Sequence, residues 1–174
     1  SAASDVYKRQ IGNNDYKPSV ARWNMATGEI NPMPYEYPDL KKVRFIYAAS
    51  AEHQLYVQCY TQYDLMTICD FNGNLKCNIY GPKWVNEKTQ TQHYSLGVEF
   101  CGDKILALYS GGDHRTDAYY PTKFLVFDLN GNYLKTLETG YMITDFCYDK
   151  ENNRLIINLN DEIQFAYLDL EGII

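Results

Sequence analysis

Four residues suited to holding an anion or a sugar, Lys83, His93, His114 and Arg115, fall in two polar stretches, 81–93 and 111–120. Trp84, Tyr119 and Tyr120 lie in the same stretches, and their rings would stack on the apolar faces of such a ligand. Asp113, His114 and Asp117 could offer ligands to a metal, but three polar residues in one loop are common. None of the three histidines, His53, His93 and His114, stands at the i, i+4 spacing of a helical zinc motif. No metal site and no cofactor is assigned, and no nucleophile elbow, phosphate loop or dinucleotide fingerprint occurs. The candidate binding residues are therefore Lys83, Trp84, His93, Asp113, His114, Arg115, Tyr119 and Tyr120. The alternative for these residues is a solvated loop whose rings only cover a junction between sheets.

These stretches interrupt a repeat. Asp70-Phe-Asn-Gly73, Asp128-Leu-Asn-Gly131 and Asp169-Leu-Glu-Gly172 are copies of one step, with a looser copy at Asn24-Met-Ala-Thr-Gly28. Gly28, Gly73, Gly131 and Gly172 stand 45, 58 and 41 residues apart, close to the period of about 40 to 50 residues found in propeller blades. Asn-Gly between apolar runs predicts a type I′ hairpin turn, in which both central residues need positive φ. A calcium loop would need a downstream bidentate Glu that these steps lack. Each hairpin joins two short strands, 65–70 to 75–80 and 123–128 to 133–137. Two further strands precede each turn, at 43–50 and 55–60, at 96–101 and 105–110, and at 143–148 and 154–160.

Four antiparallel strands per repeat with tight turns is the plan of a propeller blade, whereas a sandwich does not need the same turn after every fourth strand. The expected fold is all-β, a partial β-propeller of about three four-stranded blades plus part of a fourth. Counted from Ser19, that is the outer half of one blade, two complete blades, and a last one whose outermost strand barely begins. The longest spacing, 58 residues, places an insertion at 111–120 on the face that also carries the connections between blades.

The chain has 174 residues, a formal net charge of −6, 45% hydrophobic residues and 17 Tyr. An acidic chain without a basic face argues against nucleic-acid binding, and no apolar run is long enough to span a bilayer as a helix. Five cysteines, Cys59, Cys69, Cys77, Cys101 and Cys147, lack metal or scaffold spacing and read mostly as small buried hydrophobes. Residues 1–10 fit no pattern in the rest, and Asp5 to Gln10 resembles the translated end of a transposase adapter. The domain reading is thus a non-native or disordered leader, 1–10, and a partial propeller, 11–174, with coding sequence expected upstream.

The segments Leu75 through Trp84, Ile105-Leu-Ala-Leu-Tyr-Ser-Gly111, Phe127-Asp-Leu-Asn-Gly131 and Tyr167-Leu-Asp-Leu-Glu-Gly172 resemble the TolB-like six-bladed propellers of Bacteroides-type bacteria. The resemblance runs from about Ile11 to Ile174 and implies six blades, an extracytoplasmic home and a lipoprotein anchor in a leader outside this sequence. It implies no catalytic residue. The functional expectation is a non-enzymatic binding or scaffold propeller of the cell envelope, with an unknown protein or carbohydrate ligand. The alternative is a propeller enzyme, a lactonase-like hydrolase or a lyase acting on sugars, which needs a metal in the central channel.

An arc of blades that does not close leaves apolar sheet faces uncovered, and at about 25 cal/mol per Å2 the lost burial rivals the stability of a small domain. Residues 11–174 expressed alone are expected to associate or aggregate. Sedimentation and thermal unfolding across a dilution series check this, and a sharp monomeric transition independent of concentration would contradict it.

Overall fold

The computed structural model describes residues 3–11, 15–32, 40 and 43–174, with the backbone alone for 3–11 and 15–20. Among the described residues, fourteen strands form four antiparallel sheets, each a meander in which successive strands are neighbours. The first sheet holds β1 (Ala3–Ile11), β2 (Asp15–Trp23) and β3 (Ile30–Pro32). The second holds β4 (Phe45–Ser50), β5 (Leu55–Tyr60), β6 (Leu65–Asp70) and β7 (Leu75–Tyr80). The third holds β8 (Thr91–Cys101), β9 (Lys104–Asp113), β10 (Lys123–Asp128) and β11 (Tyr133–Glu138). The fourth holds β12 (Ile143–Asp149), β13 (Arg154–Leu159) and β14 (Phe165–Asp169). Most of the leader read from the sequence thus lies in β1, paired with β2; Ser1 and Ala2 are outside the described residues.

A sheet with one wet face alternates apolar and polar residues, while a sheet covered on both faces reads as an unbroken apolar run. β5, Leu-Tyr-Val-Gln-Cys-Tyr, is buried at every position, and β6 at all but its last. The cause is stacking. Leu55, Val57, Cys59, Met66 and Ile68 of the second sheet meet Ile105, Ala107, Tyr109 and Phe127 of the third. On its opposite face the third sheet offers Leu106, Leu108, Phe124 and Val126 to Leu155, Ile157 and Leu159 of the fourth. Each fully buried Leu, Ile, Val, Met or Phe among them contributes about 1.5–3 kcal/mol.

The inner turns of the sheets converge. The β4–β5 turn reaches past the third sheet to the β12–β13 turn, where Lys150 Nζ donates to Glu52 Oε2 at 2.8 Å. His53 Nε2 lies 2.8 Å from the Gly102 carbonyl of the intervening sheet. Both members of the Glu52–Lys150 pair are exposed, so it adds little stability, but its span shows that sheets two to four fan about a common edge. That is the geometry of consecutive propeller blades.

The repeated turns are hairpins, though of another type than the sequence suggests. Gly73 and Gly131 have φ of +89° and +86°, whereas Asn72 and Asn130 are absent from the positive-φ residues. Gly73 N–H donates to the Asp70 carbonyl at 3.0 Å, and the strand register slips between Ile68 and Cys69. This is a four-residue turn closed by a left-handed glycine that forms a bulge. The Asp70 carboxylate decides the type, because its Oδ1 accepts from the Asn72 and Asn74 backbone N–H groups at 2.8 and 2.9 Å, and its Oδ2 from the Asn74 side chain at 2.8 Å. Asp128 repeats this pattern with Asn130 and Asn132. The bond from Asn132 first, then those from the backbone, hold the Asp128 carboxyl below its ordinary range.

The long third repeat is also built differently from expectation. Part of its length goes into strand: β8 begins at Thr91, not at Leu96, and β9 runs to Asp113. β8 accommodates this with an irregularity between Tyr94 and Val98, where Leu96 takes φ +68°. A side chain at the adjacent Gly97 would lie 2.7 Å from the Phe146 ring of the fourth sheet, so the bulge is also a contact between sheets.

Gly28 and Gly131 share positive φ but not surroundings. A Cβ at Gly28 meets nothing within 4 Å, while one at Gly131 would lie 2.8 Å from Cys77 Sγ and 2.9 Å from Ile79 Cδ1. Gly28→Ala should cost about 1–2 kcal/mol for the left-handed backbone alone. Gly131→Ala should cost at least ~1 kcal/mol more, because it also pushes the second and third sheets apart. Urea midpoints of the two variants measure the difference.

Candidate functional site

Three segments meet on one face of the second and third sheets: the β5–β6 turn, the β7–β8 connection and the β9–β10 loop. The Thr61 carbonyl accepts the His93 N–H at 2.7 Å, and Gln62 and Thr89 share three bonds, at 3.2, 3.2 and 3.4 Å. The Gln90 carbonyl accepts from the His114 backbone at 3.1 Å and lies 3.0 Å from its Nδ1. Lys83 Nζ donates to the Gly111 carbonyl at 3.4 Å. The loop folds back on β9 through a short 3-10 helix, Asp117–Tyr119, whose Ala118 carbonyl accepts from Ser110 Oγ at 2.7 Å. Gly112 permits that approach, since a Cβ there would sit 1.8 Å from the Ala118 oxygen.

The eight residues singled out from the sequence fall into separate groups on this face. Asp113 and Arg115 serve each other, with Arg115 Nη2 2.8 Å and Nε 3.1 Å from the Asp113 carboxylate and His114 Nδ1 at 3.7 Å. The Arg115 bonds hold the Asp113 carboxyl well below its ordinary range. Tyr119 and Tyr120 stack on one another, centroids 4.2 Å apart. Trp84 turns back to the second sheet, 4.8 Å from the Tyr80 ring centroid and 6.2 Å from that of Tyr63. His93 is in β8 rather than on a connecting loop, and is only 1% exposed. Among the described residues no three His, Cys, Asp or Glu side chains are placed to hold a metal ion.

His93 belongs to a cluster that the sequence reading missed. Asp64, also 1% exposed, has its Oδ1 3.7 Å from His93 Nδ1 and accepts the Lys83 N–H on Oδ2 at 2.9 Å. Its carbonyl accepts the Gly81 N–H at 2.8 Å, and any side chain at Gly81 would strike the carboxylate at 2.2 Å. The Tyr109 hydroxyl lies 3.3 Å from His93 Nδ1. Burial pushes the His93 imidazole below its ordinary value, outweighing the opposite pull of Asp64, so the ring is neutral near pH 7. Burial, then the Asp64 charge, pushes the Tyr109 phenol up. Two signals pointed here in the sequence: an acid in the turn 61–64, and a tyrosine closing the aliphatic run 105–108.

Beside this cluster, between the second and third sheets, lies a cleft of about 440 Å3. Ile79, Tyr80 and Pro82 form one wall and Tyr109, Phe127 and Tyr133 the other. Asp64, Lys123 and Glu138 supply the charges, Lys123 Nζ lying 3.5 Å from Glu138 Oε1 and 5.9 Å from the Tyr109 ring centroid. A largely apolar space of this size with a few polar groups is the usual form of a small-molecule site.

The fan of sheets and its loop face decide the architecture. This chain is part of a β-propeller. Solved structures with the same arrangement include hydrazine synthase from Kuenenia stuttgartiensis, with TM-score 0.59 and 13% identity over 88% of this chain. BamB from Moraxella catarrhalis gives a TM-score of 0.52 and 11% identity over 87% of this chain. The extracellular domain of the two component system BT4673 from B. thetaiotaomicron gives a TM-score of 0.60 and 9% identity over 94% of it. At such identities the likeness is one of fold. The chain spans 40%, 39% and 20% of those three proteins respectively. No protein-family model matches this chain, and no curated protein sequence does.

A histidine buried neutral lowers stability in acid, because the unfolded chain takes up a proton near pH 6.5 (its ordinary value, about) that the folded chain takes up only at lower pH. Stability should therefore fall as pH drops below ~6.5, and stop falling through this group once pH passes the depressed folded value. In His93→Gln that part of the pH dependence should vanish. Urea unfolding of both proteins between neutral and mildly acid pH measures it.

Proposed function

We propose that this chain is part of a ligand-binding or scaffold propeller of the bacterial cell envelope, built on the TolB-like six-bladed plan. The observation that carries the reading is the cleft between the second and third sheets. Its walls are rings from two different sheets, its charged groups are few, and it is lined at one side by the buried Asp64 and Tyr109, which His93 faces from behind. Such a space holds a ligand through shape and a small number of directed polar contacts. The adjoining loop face, with Lys83, Trp84, Asp113, His114, Arg115, Tyr119 and Tyr120, offers a second surface to a protein or carbohydrate partner.

The envelope setting is supported by fold likeness to a domain described as extracellular and by the resemblance of the turn motifs to TolB-like propellers. An extracytoplasmic location and a lipoprotein anchor in the parent protein follow from that resemblance. Residues 1–10 are read as foreign to the parent and 11–174 as the propeller segment.

A thermal-shift screen of the purified chain against soluble saccharides and short peptides tests binding. A ligand at ~100 times its Kd adds about 2.7 kcal/mol, which in a chain of this size raises Tm by roughly 5–10 °C. The ligand should be recovered unchanged after prolonged incubation. Consumption of the ligand that depends on an added divalent metal would overturn the binding reading in favour of a propeller enzyme.

A further inference from the structure

The geometry points to a neutral saccharide as the occupant of the cleft between the second and third sheets. It rests on the binding reading above and goes beyond it by naming the class of ligand. In this arrangement the rings of Tyr80 and Tyr133 lie against the C–H faces of the sugar, while Lys123 and Glu138 bond its hydroxyls.

The charges exclude the other classes one by one. Lys123 and Glu138 are paired across β10 and β11, and Asp64 adds a second carboxylate at the back. A phosphate or polycarboxylate would meet two acids and one ammonium. An organic cation would compete with Lys123 for the same face of Tyr109, where the ammonium already lies 5.9 Å from the centroid. A wholly apolar molecule would strip water from Lys123 and Glu138 without replacing its hydrogen bonds, which costs about 1–3 kcal/mol or more per group.

An uncharged polyol has neither conflict. At 3.5 Å the Lys123–Glu138 pair is long, so an ammonium with three donors and a carboxylate with two acceptor oxygens face the space with hydrogen-bonding capacity to spare. A pyranose presents hydroxyls at its edges and C–H bonds on its faces, matching a polar rim and ring walls. The Tyr133 ring is held ready for such a contact: its hydroxyl lies 2.8 Å from Thr136 Oγ1, and its ring meets Phe127 edge-on at 5.9 Å. It is nonetheless 58% exposed, as a stacking platform must be.

Isothermal titration of the full chain with maltotetraose, chitotetraose and xylotetraose, alongside tetragalacturonate and an uncharged blocked tetrapeptide, tests the proposal. A saturable isotherm with a neutral tetrasaccharide is expected, weakened about tenfold or more in Tyr133→Ala and several-fold in Glu138→Gln. Tyr167→Ala, which removes an exposed ring of the fourth sheet, should leave it unchanged. If Tyr133→Ala lowers Tm, Glu138→Gln and Lys123→Met carry the comparison in its place. Binding of the acidic saccharide or the peptide with none of the neutral sugars overturns the ligand class while the binding reading stands. Neutral-sugar binding that is equal in all the variants overturns the cleft as its site. If no probe binds at millimolar concentration while other ligands raise Tm, the saccharide proposal alone falls; if nothing raises Tm, both readings fall.

Discussion

Face-to-face stacking of antiparallel sheets is the constraint from which the other features follow. A sheet with neighbours on both sides must be largely apolar on both faces: the third sheet is, and the second is on its face toward the third, while its other face buries Gln58 and Thr67 among Tyr56, Tyr60 and Leu65. Their middle strands lose alternation, carry no charge in their interiors and, Gln58 and Thr67 apart, leave polar chemistry to the turns and the outer strands. Val57, Leu65, Ile68, Ile105, Leu106 and Leu108 are entirely without exposure, which leaves no room to slide one sheet on the next without opening a void. The fourth sheet illustrates the converse. β13 alternates, with Leu155, Ile157 and Leu159 buried on the third sheet and Ile156 turned outward.

Apolar stacking is non-directional, so the relative height and rotation of adjacent sheets need polar anchors. On the loop face Asp64 provides one, taking the Gly81 and Lys83 N–H groups where the chain leaves the second sheet and facing His93 where it enters the third. The Gly81 N–H goes to the Asp64 backbone carbonyl and the Lys83 N–H to its carboxylate; a charged acceptor contributes more than a neutral one, and losing it would leave the Lys83 N–H unpaired. At the opposite ends, the Cys77 thiol donates to the Asn130 carbonyl, and the Gly131 turn sits against Cys77 and Ile79. The same two sheets are thus pinned at both ends of their outer strands, with the cleft opening between the pins.

Local rules made much of this legible in the sequence. The strands 55–60, 65–70, 75–80 and 123–128 coincide with β5, β6, β7 and β10 because propensity, apolar content and turn glycines agree there. The turn type was misread because Asn-Gly was weighed without the Asp three residues before the glycine, whose carboxylate collects the backbone donors. The start of β8 was missed because His93 and Tyr94 look like loop residues until Asp64 and Tyr109 are beside them. Asp64 and His93 are 29 positions apart in the chain, and no local pattern marks a contact across two sheets. The cleft was illegible for the same reason: Tyr80 and Tyr133 belong to the outer strands of different repeats.

The abundance of tyrosine has a physical reading in this setting. A junction between fanned sheets passes from a dry centre to a wet margin within a few residues, and a phenol suits that gradient because its ring is apolar and its tip is not. Tyr94, 1% exposed, serves the dry part and packs edge-on against Tyr109 with centroids 5.2 Å apart. Tyr109, 8% exposed, uses its ring for the stack and its hydroxyl for His93. Tyr80 and Tyr133, about half exposed, stand at the margin where the sheets diverge. Leucine would fill the centre as well but would leave the margin either collapsed or unpaired. The residue that lets these sheets part without exposing a purely apolar edge is also the one that lines the space they leave.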